Sequence, residues 1–302
     1  MTITASALDA LPIPASLLGE SPLWHPQEQV LYWCDISGRK LNRWDPVSER
    51  HDAWDFETDV ACCAAREAGG LLLALRTGVV AFDPATGVRT PRADAPYDPS
   101  TERFNDGKTD PQGRFWAGTI YEPRDPPDAA LYRLDGDRMT RMQDGITNSN
   151  GLAWSPDGRT MYWADTRGHR VQALDFDGAT GSVSNRRTFV QFPTKQDGQD
   201  LSTYGGRPDG GAVDAEGCYW AAMFEGARLV RVSPQGEIVG TLALPVRCPT
   251  MACFGGPDLR TLYITTSREK RPADELAREP WAGQVLTARV DVSGLPAVLA
   301  RD

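Results

Sequence analysis

The chain has few histidines: His25, His51 and His169 are the only three in 302 residues, and they lie far apart. The sequence therefore argues against a zinc site built from a histidine triad. Six cysteines occur, none in CxxC spacing, so neither a zinc ribbon nor a dithiol redox motif is present. They are expected to be buried free thiols. No apolar run approaches the roughly 20 residues that span a bilayer, which argues against a membrane partner. The amino-terminal stretch MTITASALDALPIPASLLGESP lacks a basic start followed by a compact apolar core. A cytoplasmic location is expected from that. Positive charge is also in deficit, with 32 Lys and Arg against 41 Asp and Glu and a formal charge of −9. Such a balance disfavours a nucleic-acid backbone as partner. No GxSxG stretch is found, which argues against a serine-hydrolase elbow. Long segments of helical period are missing too; only PADELARE at 272–279 reads as a helical turn.

What the chain does have is a repeat. Residues 25–33 read HPQEQVLYW and residues 155–163 read SPDGRTMYW, preceded by GESPLW and SNGLAW. Polar turns of this kind recur as HPQE, REAG, DPQG, SPDG, DAEG and GGPD, beginning at His25, Arg66, Asp110, Ser155, Asp214 and Gly256. The spacings are 41, 44, 45, 59 and 42 residues. Each turn is followed by a short run rich in aromatic and β-branched residues, such as VLYWCD, RFWAGT and TMYWAD. Six units of this length predict an all-β fold: a six-bladed β-propeller of four-stranded antiparallel blades around a central channel. One domain over 1–302 is expected, with a short extension over about 1–15. The long spacing is assigned to a polar surface loop at about 192–207, FPTKQDGQDLSTYGGR. The aromatics of YWCD, FWAG and YWAA are expected in the packing between blades.

Five residues before each turn stand Glu20, Ala61, Asn105, Asn150, Asp209 and Met251. These are equivalent places in equivalent blades, at the start of the strand nearest the axis. Pseudo-symmetry therefore converges Glu20, Asn105, Asn150 and Asp209 at one mouth of the channel. Two carboxylates crowded there repel unless a cation lies between them. Oxygen-only ligation suits a hard divalent ion such as Ca²⁺, Mg²⁺ or Mn²⁺.

At these residues the chain resembles the senescence-marker-protein/gluconolactonase/regucalcin family of six-bladed sugar lactonases. The resemblance runs from about Gly19 to Leu295. It is carried by GESPLW, RFNDGKTDPQGRFWAGT, NSNGLAWSPDG, RPDGGAVDAEG and TSREKRPADELAREPWAGQVL. It implies that Glu20, Asn150 and Asp209 hold one divalent cation, with calcium, zinc, manganese and iron(II) all used in the family. It implies substrate contact for Arg103 and Asn105, and makes Glu122, in AGTIYEPRD, the nearest match to a further acidic substrate contact. Asp106 is implied to be structural, capping its own turn.

These residues suit hydrolysis of a sugar lactone to its aldonic acid, with a pentono- or gluconolactone as substrate and a monomer as the working form. A bound cation polarises the carbonyl and acidifies a water, and Asp209 accepts the water's proton as general base. Two other readings compete: an esterase or phosphotriesterase on the same scaffold, and a calcium-binding regulatory propeller. Arg103 favours the lactonase, because a polyol needs fixed donors. Arg66 and Arg76 receive no role. The 192–207 loop is expected over the same mouth, with Lys195, Gln196, Asp197 and Tyr204 as candidate lid residues.

Overall fold

The computed structural model describes residues 2–301. Strands Gly19–His25, Val30–Asp35, Lys40–Asp45 and Arg50–Asp55 form blade 1, a meander hydrogen-bonded in chain order. Blades 2 to 5 repeat the plan, opening with inner strands Val60–Ala65, Glu102–Thr109, Ser149–Trp154 and Arg207–Val213. Blade 6 opens with Pro249–Gly255 and continues through Thr261–Thr266 and Leu286–Arg289. Its outermost strand is Asp9–Ala10, from the other end of the chain, pairing with Thr287 and Leu286. The amino-terminal stretch is thus not a mere extension. It covers an edge that would otherwise present unpaired N–H and C=O groups. The chain is a six-bladed, four-stranded antiparallel β-propeller.

Burial falls from axis to rim, as the composition of each strand requires. The inner strand VACCAA and its neighbour LLLAL are buried throughout, whereas the outermost RHDAWD and SVSNRRTFVQ are largely solvated. Trp33, Trp116, Trp163 and Trp220, from the second strands of blades 1, 3, 4 and 5, are fully buried between blades. Their indole N–H groups are satisfied locally: Trp116 and Trp220 donate to Asp110 and Asp214 of the preceding turns, at 2.9 and 2.8 Å. The turn signature read in the sequence is therefore also a packing device. All six cysteines are free thiols, five of them buried and Cys253 half-buried. No helix is long and apolar enough to cross a membrane among the described residues. The PADELARE segment forms the one α-helix among the described residues, Ala273–Arg278.

Every inner strand carries a register irregularity near its start: Glu20/Leu23, Val60/Cys62, Phe104/Gly107, Asn150/Ala153, Pro208/Gly211 and Pro249/Met251. A bulge re-aims the side chains beside it. The six equivalent positions found by counting back from the turns all fall at these bulges. Two of the bulges place a residue at positive φ, Ser21 at 48° and Gly151 at 59°. A Cβ on Gly151 would also lie 2.2 Å from the Tyr219 hydroxyl, which donates to the Gly151 carbonyl at 2.8 Å. Only glycine fits there.

Candidate active site

The bulges bring the predicted residues to one end of the channel. Glu20, Asn105, Asn150 and Asp209 come from blades 1, 3, 4 and 5, and each is buried. A chain of side-chain hydrogen bonds links four residues of blades 3 and 4. Arg103 Nη1 donates to Asn105 Oδ1 at 2.9 Å, and Asn105 Nδ2 donates to Asn150 Oδ1 at 2.6 Å. Asn150 Nδ2 then donates to Thr166 Oγ1 at 2.7 Å. This network fixes the amide of Asn150: its nitrogen donates to a hydroxyl and its oxygen accepts from Asn105, which leaves that oxygen one lone pair to spare. The Asn105 oxygen likewise accepts one bond, from Arg103.

The two carboxylates are differently placed. Glu20 accepts a single long bond from the Ser21 N–H, at 3.4 Å, and Asp209 accepts none among the described residues. Burial pushes the Glu20 carboxyl well above its ordinary range, and the charges of Asp209 and Asp106 push it further. Burial likewise raises Asp209; Arg207 and Arg103 oppose this, while Asp106 adds to it. Buried acids are normally paired or hydrogen-bonded. Glu20 has only its one long bond and Asp209 none among the described residues, and the charge of Asp209 disfavours ionisation of Glu20.

Asp106 departs from the expectation that it caps its own turn. Its Oδ2 accepts the Leu152 N–H of blade 4 at 2.9 Å, tying the two inner strands together. It is also a third buried acid close enough to act electrostatically on Glu20 and Asp209. Lys108, likewise missed in the sequence, partly compensates it.

Glu122 is at the rim, with its side chain 41 % exposed. Arg76 from blade 2 grips it twice, Nη1 to Oε2 at 3.0 Å and Nη2 to Oε1 at 2.9 Å, while also holding Asp59 at 2.8 Å. That grip lowers the Glu122 carboxyl below its usual range. Arg103 Nε lies 3.8 Å from the same carboxylate. Arg76, without a role in the sequence reading, therefore aligns Glu122 beside Arg103. Its place at the channel-mouth end of a second strand was the signal for it.

The long connection between blades 4 and 5 packs on the same end of the barrel. It contains a 3₁₀ turn, Leu201–Thr203, capped by Asp200. Arg247 Nη1 donates to the Leu201 carbonyl at 2.8 Å, and Arg228 Nε to that of Gly205 at 3.1 Å. Tyr204 is buried and bonded to His169 Nε2 at 2.7 Å. It anchors the loop, which removes it from the candidate lid residues; Lys195, Gln196 and Asp197 are exposed.

The family description SMP-30/Gluconolactonase/LRE-like region matches residues 18–268. The chain belongs to that family. Among relatives of the SMP-30/gluconolactonase group, it is 43 % identical to 6-deoxy-6-sulfogluconolactonase of Pseudomonas putida over 282 residues, 92 % of this chain and 93 % of that one. It is 38 % identical to regucalcin of Danio rerio over 284 residues, again 92 % and 93 %. The crystal structure of a calcium-binding protein, regucalcin, from Agrobacterium tumefaciens superposes with a TM-score of 0.89 at 27 % identity, covering 97 % of each chain.

The donor set at the mouth fits one hard divalent cation. Two under-bonded carboxylates and one oriented amide oxygen supply oxygen ligands with the right total charge. Among the described residues no group of three or more His, Cys, Asp or Glu side chains that could hold a metal is found, so the set at the mouth is two acids with an amide oxygen beside them.

Proposed function

We propose that this protein hydrolyses a sugar lactone to the aldonic acid, using one divalent cation held by Glu20, Asn150 and Asp209. The observation that carries the reading is the pair of buried, mutually repelling carboxylates, Glu20 and Asp209, left almost without donors beside a fixed arginine. A cation resolves the repulsion, and the lactonase name of a relative 43 % identical supplies the reaction class. When bound, such an ion supplies Lewis acidity toward the lactone carbonyl and toward a water molecule.

The chain's own residues then have separable tasks. Asp209 accepts no hydrogen bond from the protein, so its carboxylate is available to take the proton of the attacking water. The water oxygen bonds to the lactone carbonyl carbon, the ring C–O bond breaks, and Asp209 returns the proton to the ring oxygen, which departs as a hydroxyl. Arg103 cannot ligate a cation, and its guanidinium already has one Nη1 committed to Asn105 and the Phe104 carbonyl. Its remaining N–H groups, held in place by Glu122, face the substrate's hydroxyl oxygens. Asn105 serves mainly to orient Asn150 and Arg103. Glu122 contacts substrate from the rim. Burial of the mouth keeps bulk water from competing for these donors.

A panel of five- and six-carbon aldonolactones, assayed on metal-stripped protein with Ca²⁺, Mg²⁺, Mn²⁺, Zn²⁺ or Fe²⁺ restored singly, tests the proposal. Turnover of at least one lactone that depends on added metal supports it. Stoichiometric calcium binding without turnover of any lactone would instead support a calcium-binding regulatory role, in keeping with the calcium-binding description of the Agrobacterium structure.

A further inference from the structure

The opposite end of the channel holds a second cavity of about 300 Å³. Its wall is apolar, with Trp24, Trp154, Met251, Phe254 and Leu295 around it. Among the described residues Lys108 is the one charged residue that lines it, and no acidic side chain does. Lys108 leaves the inner strand of blade 3 and crosses the channel, donating from Nζ to the Gly211 carbonyl of blade 5 at 2.9 Å. An ammonium carries three donors, and that carbonyl is the one acceptor it meets. The wall is short of acceptors elsewhere too. The indole N–H groups of Trp24 and Trp154 and the Thr109 hydroxyl, all on lining residues, are buried without a partner.

The floor of this cavity is a strap built from the carboxy-terminal segment. Its near end is pinned by backbone bonds from Ala215 to Ser293 and from Gly294 to Leu259, at 2.9 and 2.7 Å. Its far end is pinned across the axis, Ala300 to Ala65 at 2.7 Å and Arg301 to Gly113 at 2.8 Å. Between the pins, Leu295 to Val298 line the cavity, and Val298 stays 39 % exposed. The strap lies beyond residues 18–268, the part of the chain that the family description matches.

An apolar hollow of 300 Å³ falls within the size range of small-molecule sites. Apolar cavities of about half that volume stay dry and take apolar guests. Lys108 is compensated in part by Asp106, which does not line the cavity; inside the cavity its ammonium faces donors and no carboxylate, and this selects the guest's charge. We infer that this cavity is a second ligand site, taking a small apolar molecule with a single carboxylate head that pairs with Lys108 while its hydrocarbon body packs between the two tryptophans and the strap. It lies at the other end of the inner strands from Glu20 and Asp209 and does not use them.

Octanoate is a suitable probe, with 1-octanol and octylammonium as neutral and cationic counterparts of the same length. Calorimetric titration of the full-length protein should give one octanoate per chain. Octanol should bind at least about ten-fold more weakly, since it lacks the charge-assisted bond, and octylammonium should give no binding. Lys108→Met should bring octanoate down to the level of octanol and leave octanol unchanged. Asp209→Asn should leave octanoate binding intact, which separates this site from a carboxylate captured at the acidic mouth. The comparison of the three ligands on unaltered protein stands by itself if Lys108→Met does not fold. Absence of octanoate binding, equal affinity for the three ligands, persistence of full affinity in Lys108→Met, or loss in Asp209→Asn would each overturn the inference.

Discussion

Removing one of the two axial charges should make the metal-free protein more stable. Consider Asp209→Asn. In the folded chain Asp209 is raised by burial and by the charge of Asp106, and it in turn raises Glu20. The unfolded chain has ordinary carboxylates, ionising near pH 4. Between that pH and the raised folded value, the native state holds protons that the unfolded state has released. Stability therefore falls as pH rises through this window. Each tenfold displacement of the proton equilibrium costs about 1.4 kcal/mol. With an unfolding entropy of about 0.6 kcal/mol/K for a chain of this length, that corresponds to roughly 2 °C in Tm. Asn keeps the shape and cannot ionise. The chelator-treated variant should thus melt at least about 2 °C above the chelator-treated parent at pH 8, and nearly level with it at pH 4. Added divalent metal should reverse the order, raising the parent and leaving the variant unmoved. Differential scanning calorimetry across pH 4–9, with chelator and with metal, checks this. A variant that melts below the parent at pH 8 without metal would show that the carboxylates are not in conflict, and the electrostatic case for a cation would fail.

Other perturbations separate the remaining roles. Arg103→Ala should retain its metal by elemental analysis and lose about ten- to a hundred-fold in kcat/KM, the loss of one or two charged hydrogen bonds; full activity on the best lactone would remove Arg103 from the substrate side. Arg76→Met should release Glu122, raising KM for lactone without changing metal content; an unchanged KM would make Glu122 a bystander. Replacing residues 193–203 by a short turn should alter KM or lactone preference, and identical kinetics across several lactones would leave the segment as a surface loop. Deleting residues 2–12 uncovers the Leu286–Arg289 edge and breaks the bonds of Ile3 to Thr241, Ser6 to Arg289 and Leu11 to Val285. At about 0.5–1.5 kcal/mol each, these three bonds alone should cost about 1.5–4.5 kcal/mol in denaturant unfolding, with the lost Asp9–Ala10 pairing adding to it; an unchanged midpoint would deny the amino-terminal strand its closing role.

What could be read from the sequence follows from how local each feature is. Turns such as DPQG and SPDG are specified within four residues, so the six-fold period was visible and with it the equivalent positions of Glu20, Asn105, Asn150 and Asp209. Closure of blade 6 by Asp9–Ala10 was not, because a two-residue strand carries no pattern and its partner lies far along the chain. The same limit hid Arg76, whose partners Asp59 and Glu122 stand 17 and 46 positions away. Asp106 was assigned to its own turn by the resemblance alone; its bond to Leu152 reaches the next blade, which no local pattern reveals. Lys108 sits in the same RFNDGK motif, yet only the ring geometry shows it reaching Gly211.

The unequal blades explain why the mouth is a site and not merely a symmetric rim. Blades 2 and 6 place Ala61 and Met251 at the positions where the other four place acids or amides, and both are buried. Met251 packs so closely on blade 5 that a Cβ at Gly210 would lie 2.4 Å from it. Glycine next to Asp209 is therefore demanded by packing, and it leaves the Asp209 carboxylate on a bulge with no side chain behind it to donate a hydrogen bond. On the far side, Ala61 gives blade 2 no polar group to offer Glu20. The apolar pair thus withholds the donors that would otherwise satisfy the two acids. Polar residues at these two places would quench the carboxylates with hydrogen bonds and remove the unbalanced charge that makes this end of the channel receptive to a cation. Met251→Gln, which puts an amide on the blade-6 bulge, should weaken metal affinity while leaving all three proposed ligands in place. Equal affinity in a folded Met251→Gln protein would show that ligand identity alone, and not the withheld donors, sets the binding.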